Sequence, residues 1–206
     1  MTQHPTIRAI SGALAPQSLD PAKTALLAID FQNEYFTGRM PIPDGGKALA
    51  NAKRLIAHAD TSGMKVWHVQ HITPAGSPVF AEDSETSKIH PDIQPRDNHA
   101  VVCKSSVSVF PTTDLDAQLK QAGIDTLIMT GLMTHACVAG AARDAVPLGY
   151  RVIVADDASA TRDLDMADGH KVSHDALHRA ALASIEDTFG DVLTTEEILR
   201  LTEKRK

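Results

Sequence analysis

The sequence predicts an α/β fold in three layers, α/β/α, around a central and mostly parallel sheet. Short, almost wholly apolar runs such as TALLAID (24–30) and TLIMT (126–130) have the composition of strands buried on both faces, as a sheet covered on each side requires. Between such runs lie segments with apolar residues at helical spacing, and three of them end at Gly63, Gly123 and Gly149, residues that stop helices. Strands alternating with helices imply right-handed crossovers and a Rossmann-like arrangement.

The elements follow in order. Residues 1–23 carry Pro5, Pro16 and Pro21 and little periodicity, so they read as an extended arm that packs on a neighbour or on its own chain. The domain proper is 24–206, with a first strand over Thr24 to Asp30. Leu49, Ala52, Leu55, Ile56 and Ala59 place a helix over Gly45 to Ser62, and a second strand spans Lys65 to His71. The stretch Ile72 to Ala100, with four prolines and many charges, reads as a long irregular loop; loops of that length inside a domain are usually functional, and this one suits a lid. Further strands are expected at Ala100 to Lys104, Thr126 to Thr130, Tyr150 to Ala155 and, briefly, Val192 to Leu193. Helices are expected at Asp114 to Ala122, Ala136 to Leu148, about Val172 to Asp187, and from near Thr195, with a charged loop over Asp156 to Asp168.

Composition narrows the function. A chain of 206 residues with 43% hydrophobic content fills one core without staples. Twenty Lys and Arg against 26 Asp and Glu give a net charge of −6 with the signs mixed, which disfavours nucleic acid and anionic membranes as partners. Apolar runs fall far short of the ~20 residues of a membrane span. Met1 to Ser11 lacks the apolar stretch of a secretory signal, so a cytoplasmic protein is expected. Cys103 and Cys137 read as free thiols, Cys103 as a small buried residue of an apolar strand.

Ligands of such sheets bind beyond the carboxyl ends of the strands, where this chain places Asp30, His71, Lys104, Gly131 to Cys137, and Asp156. Cys137 opens a helix, where free amides and the helix dipole favour a thiolate. Lys104 supplies a positive charge that lowers the thiol pKa further, and Asp30 a carboxylate able to move a proton. Each residue alone also has a plain structural reading: a loop cap, a solvated lysine, a small core cysteine.

The same residues carry a resemblance. AIDFQNEYF, KSSVSVF (104–110) and IMTGLMTHACVAGAARDAVPLGYRVIVADDASA (128–160) are similar, in order and spacing, to three blocks of the isochorismatase-like cysteine hydrolase superfamily, and the likeness spans about 24–199. It implies a catalytic triad of Asp30, Lys104 and Cys137, a cis bond between Leu132 and Met133, and an oxyanion hole from the N–H groups of Met133 and Cys137. The implied reaction is covalent hydrolysis of a C–N bond in a small amide, carbamoyl or ureido compound, with no cofactor. Gln32, Phe36, His71, Phe80 and Thr134 are the candidate substrate contacts, and Phe31 and Tyr35 share with Phe36 the choice between substrate wall and core. A homodimer or higher homo-oligomer is expected, with the arm and the long loop at the interface.

The chain departs from metal-bearing relatives. HVQHITPAG replaces their Asp-x-His pair, and His68 and His71, three apart on a strand, point to opposite faces. His170, His174 and His178 recur every four residues and would share a helix face, but no Cys or carboxylate cluster accompanies them and no metal is expected. Isochorismatases that cleave a vinyl ether differ at the cysteine position, so Cys137 favours C–N hydrolysis over that alternative. Two other readings stay open: a redox-sensing thiol without an obvious resolving partner, and a binding protein that kept the fold.

Overall fold

The computed structural model describes residues 4–202, so the first three residues of the arm and the last four of the domain lie outside the described residues. The arm is not extended throughout. Ile7–Ile10 form a short helix, α1, capped by the Thr6 hydroxyl, which accepts the Ala9 N–H at 3.1 Å. Arg8 donates to the Gly190 carbonyl and pairs with Asp191 at 3.0 Å, so the arm folds onto its own chain.

Six strands form one parallel sheet: β1 (Thr24–Ile29), β2 (Lys65–His71), β3 (Ala100–Lys104), β4 (Thr126–Leu132), β5 (Arg151–Ala160) and a last strand, Asp191–Leu193, at the far edge. The spatial order is β3-β2-β1-β4-β5 followed by that last strand, every pairing parallel. The order reverses between β1 and β4, and such a switch point opens a crevice at the carboxyl ends of the strands. Every residue of β1 and of β4 is buried, as their apolar sequences require.

Helices cover both faces. One core joins β1, β2, β4 and β5 to α2 (Gly45–Ser62) and to the C-terminal helix Thr195–Thr202. The other joins the opposite faces of these strands to α3 (Leu115–Gln121), α4 (Ala139–Ala145) and α5 (His174–Thr188). A fully buried Leu or Ile in either core contributes roughly 1.5–3 kcal/mol, so the two faces together hold the sheet in place. α2 ends where the sequence predicts, at Gly63 with φ +78°. Among the described residues no helix is long and apolar enough to cross a membrane.

Five expectations need correction. β4 runs two residues past Thr130 because Gly131 lets it close on β1: a Cβ there would collide with the Ile29 carbonyl. β5 runs to Ala160, so the first five residues of the expected charged loop are strand; their charges have partners, Asp156 with His178 and Asp157 with the Thr195 amide. The rest of that loop holds a small antiparallel hairpin, β6 (Leu164–Asp165) with β7 (Lys171–Val172). α5 begins at His174, with Ser173 accepting the Ala176 N–H, so His170 is off the helix and the row of three histidines does not exist. Cys103 is exposed: β3 is the edge strand, and Val102 and Lys104 face inward while Val101 and Cys103 face out.

The long loop is tied down rather than open. His90 donates to the Phe31 carbonyl at 2.8 Å, while Glu34 donates to Thr86 at 2.7 Å and Asn33 to Lys88 at 2.9 Å. Pro91–Ile93 form a helical turn within it. It lies over the segment that follows β1, which is where a cover for the switch-point crevice belongs.

Candidate active site

Strand register brings the chemistry together. β1 pairs Ile29 with Gly131 of β4, and β2 pairs His71 with Lys104 of β3, so Asp30, Lys104 and the segment after β4 meet at one end of the sheet. Asp30 has φ +54°, a left-handed turn that Asp tolerates better than most residues and that swings the chain out of the sheet. After β4 the Leu132–Met133 bond is cis, and Thr134–Val138 form a single π-helical turn that leads into α4. Such turns are frequent at functional sites. The helix expected from Ala136 thus starts earlier, and as a wider turn; α4 itself stops at Ala145, two residues before Pro147.

Lys104 is the hub. Its Nζ lies 2.8 Å from Asp30 Oδ2 and 3.5 Å from Cys137 Sγ, and it also donates to the Ser106 carbonyl at 3.1 Å and to His71 Nδ1 at 2.9 Å. The side chains of Lys104 and Asp30 are fully buried and Cys137 is 7% exposed. The three protons of the ammonium have His71, Ser106 and Cys137 as hydrogen-bond partners, and Asp30 lies beside it as the paired charge. Neither oxygen of Asp30 makes a well-aligned hydrogen bond among the described residues, which leaves lone pairs ready for a proton.

The electrostatics overturn one expectation. The thiol of Cys137 is not lowered: burial, and after it the charge of Asp30, push it up to about 12 against the pull of Lys104. Burial also raises the carboxyl of Asp30, opposed by Lys104. A helix start and a nearby cation do favour a thiolate, but desolvation and the neighbouring carboxylate act with the opposite sign and outweigh them here. The resting site holds a thiol beside an unusually basic carboxylate, which is the arrangement of a general base and its proton donor.

The other candidates separate. His71 is held neutral, its pKa lowered to about 4 by burial and then by Lys104, and its ring meets Phe80 edge-on at 5.1 Å. Phe80 is buried and meets Tyr35 at 5.3 Å, so His71, Phe80 and Tyr35 form one aromatic row beside the hub. Phe31 and Tyr35 belong to the core, and Phe36 packs against His90 at 4.5 Å. Gln32 and Thr134 have protein partners. Gln32 is fully buried, and its amide holds the His71 N–H and carbonyl, each at 2.8 Å, and the Ser87 carbonyl at 2.6 Å; it clamps β2 to the loop. Thr134 is also fully buried, with its hydroxyl 2.9 Å from His178 Nδ1.

Met133 contributes its carbonyl to the turn, accepting from Ala136 at 3.1 Å and Val138 at 3.3 Å, while its N–H makes no hydrogen bond among the described residues. Sequence reasoning missed Arg162, which follows β5 two residues beyond the Ala160 that pairs with Leu132; its Nε is buried without a partner among the described residues. It also missed the binding of His135 to Thr161 at 2.6 Å and of His178 to Asp156 at 2.9 Å. None of these contacts is periodic, so only the fold reveals them.

Comparison with known proteins agrees with this fold. Residues 24–197 match the model of the isochorismatase domain. The chain is 36% identical to the isochorismatase family protein YddQ of Bacillus subtilis, over 86% of this chain and 99% of that one. It is 30% identical to the ureidoacrylate amidohydrolase RutB of Methylobacterium radiotolerans, over 89% and 82% of the two chains. The solved N-carbamoylsarcosine amidase of Thermoplasma acidophilum is 27% identical and superposes with a TM-score of 0.72, over 85% of this chain and 98% of that one. With a buried Asp30–Lys104–Cys137 cluster at the switch point of a parallel sheet, the chain belongs to the isochorismatase family of hydrolases.

Proposed function

We propose that the chain hydrolyses a small amide, carbamoyl or ureido compound through a thioester on Cys137. The observation that carries this reading is the buried hub, with Lys104 Nζ 2.8 Å from Asp30 and 3.5 Å from Cys137. The amidohydrolase and amidase among the similar proteins support the bond type.

Asp30 takes the Cys137 proton as the sulfur attacks the carbonyl carbon, forming a C–S bond and placing the electron pair on oxygen. The high resting pKa of the thiol keeps it protonated until substrate arrives, and the raised basicity of Asp30 narrows the gap the proton must cross. Lys104 balances the negative charge throughout. The Met133 and Cys137 N–H groups receive the oxyanion. The C–N bond then breaks, Asp30 hands its proton to the leaving nitrogen, and ammonia or an amine departs. Asp30 next takes a proton from water, the hydroxide opens the thioester, and the acid product leaves with the thiol restored.

The test is ammonia release from a panel of small amides, carbamoyl and ureido compounds by wild type, Cys137→Ala and Cys137→Ser. Turnover by wild type that vanishes in both variants supports the reading and names the substrate class. Turnover that survives Cys137→Ala sinks it.

A further inference from the structure

The hydroxyl of Thr134, the imidazole of His178 and the carboxylate of Asp156 lie in line, Thr134 Oγ1 to His178 Nδ1 at 2.9 Å and His178 Nε2 to Asp156 Oδ1 at 2.9 Å. We propose that this array positions the Met133–Cys137 turn for catalysis, with His178 as the residue that sets its geometry. The inference rests on the amidohydrolase reading for its kinetic arm, and names residues to which that reading gives no role.

The partners assign the proton positions. Hydrogen bonding by His178 holds the carboxyl of Asp156 below its usual range, so Asp156 is a carboxylate and accepts the Nε2–H. In the tautomer that carries its proton on Nε2, Nδ1 is an acceptor and the Thr134 hydroxyl donates to it. Thr134 is fully buried and opens the π turn of which Cys137 is the fourth residue. Its hydroxyl is therefore fastened to α5, and through His178 to β5, from residues distant in sequence.

Neighbouring bonds hold the same segment from the same side. His135 Nδ1 meets the Thr161 hydroxyl at 2.6 Å, Gly131 N–H donates to Ser159 Oγ at 3.3 Å, and the Thr130 hydroxyl donates to the Ala158 carbonyl. Those three tie the segment to β5 and to Thr161, the residue that follows it. Among the described residues the Thr134 bond is the side-chain hydrogen bond that ties the turn to α5, so it sets how far Met133 and Cys137 stand from the sheet. A displacement of about 1 Å in oxyanion donors costs a reaction about a hundredfold, whereas ground-state binding feels it little.

The test compares substitutions that keep the bonds with substitutions that remove them. Gln has an oxygen and an N–H group spaced much as the two imidazole nitrogens, so His178→Gln can accept from Thr134 and donate to Asp156. His178→Leu can do neither, and Thr134→Ser and Thr134→Val form the matching pair. We expect His178→Leu and Thr134→Val to lower kcat about 10- to 100-fold with KM within about threefold, and His178→Gln and Thr134→Ser to stay within about threefold of wild type. The Thr134→Val/His178→Leu double variant should be no slower than the worse single variant, since both remove one contact.

Hydrogen exchange of the 133–138 segment gives a readout that needs no substrate. It should quicken about fivefold or more in His178→Leu and not in His178→Gln, with β4 protected in both. If wild type turns nothing over, the amidohydrolase reading fails while this arm still tests the array. Wild-type kcat and exchange in His178→Leu, equal loss of kcat in His178→Gln and His178→Leu, or additive losses in the double variant would overturn the proposal.

Discussion

His71 Nδ1 stands 2.9 Å from Lys104 Nζ, at the paired ends of β2 and β3, and the neutral ring accepts a proton that would otherwise turn toward the thiol or the carboxylate. Gln32 fixes the His71 backbone on both sides, so the ring sits at a set height over the ammonium. His71 thereby orients the Lys104 ammonium. His71→Leu is expected to lower kcat about tenfold, and His71→Asn, whose Oδ1 can stand in for Nδ1, to recover most of it. Steady-state kinetics on the best substrate of the panel checks both, and equal kcat in His71→Leu and wild type would remove His71 from the site.

Neutralising Asp30 should separate thiol reactivity from turnover. The Asp30 charge is one of the influences that raise the Cys137 thiol, so Asp30→Asn lowers that pKa and increases the thiolate fraction at pH 8. Alkylation of Cys137 by iodoacetamide, located by mass spectrometry against the exposed Cys103, is expected to quicken while hydrolysis falls about a thousandfold. Slower alkylation in the variant would show that Asp30 activates the thiol at rest rather than on substrate binding.

These two residues also show how far the sequence reaches. The apolar run before Asp30, the strand ending in Lys104 and the apolar strand before the Cys137 turn are local patterns that place each side chain at a strand end, and the parallel register of β1 with β4 and of β2 with β3 brings those ends together. Gly63 and the full span Gly45–Ser62 are legible because a helix stop is a property of one residue's backbone. The sign of the thiol shift is not, because desolvation depends on what covers the site. Cys103 reads as buried because nothing local distinguishes an edge strand from a central one. Gln32 and Thr134 look like site residues by position, but their polar ends meet partners 39 and 44 residues away.

Removing one charge of the buried pair is expected to damage the fold as well as the chemistry. Lys104→Met leaves the carboxylate of Asp30, fully buried, without its cation, a change that typically costs about 3–5 kcal/mol. The double variant Asp30→Asn/Lys104→Met should regain most of that stability in urea titration while remaining inactive. Equal stability of Lys104→Met and wild type would mean that Asp30 is protonated in the resting protein, and the mechanism would need another base.

The opposite face of β2 carries a fully buried histidine with a different consequence. His68, 1% exposed, meets His99 Nδ1 at 3.0 Å, and His99 Nε2 meets Asp60 Oδ1 at 2.8 Å, which joins β2, the end of the long loop and α2. Burial, and after it His99, lower the His68 pKa to about 4. Between pH 6.5 and 4 the unfolded chain therefore binds a proton at His68 that the native chain does not, and stability falls as the pH falls through that window. His71, also lowered to about 4, acts in the same direction. Urea unfolding at a series of pH values should show a steeper loss between pH 6.5 and 4 in wild type than in His68→Gln, by the uptake of about one proton. Identical slopes would mean that His68 is charged in the folded protein, and the Asp60–His99 contact, rather than burial, would then govern how this end of the loop is held.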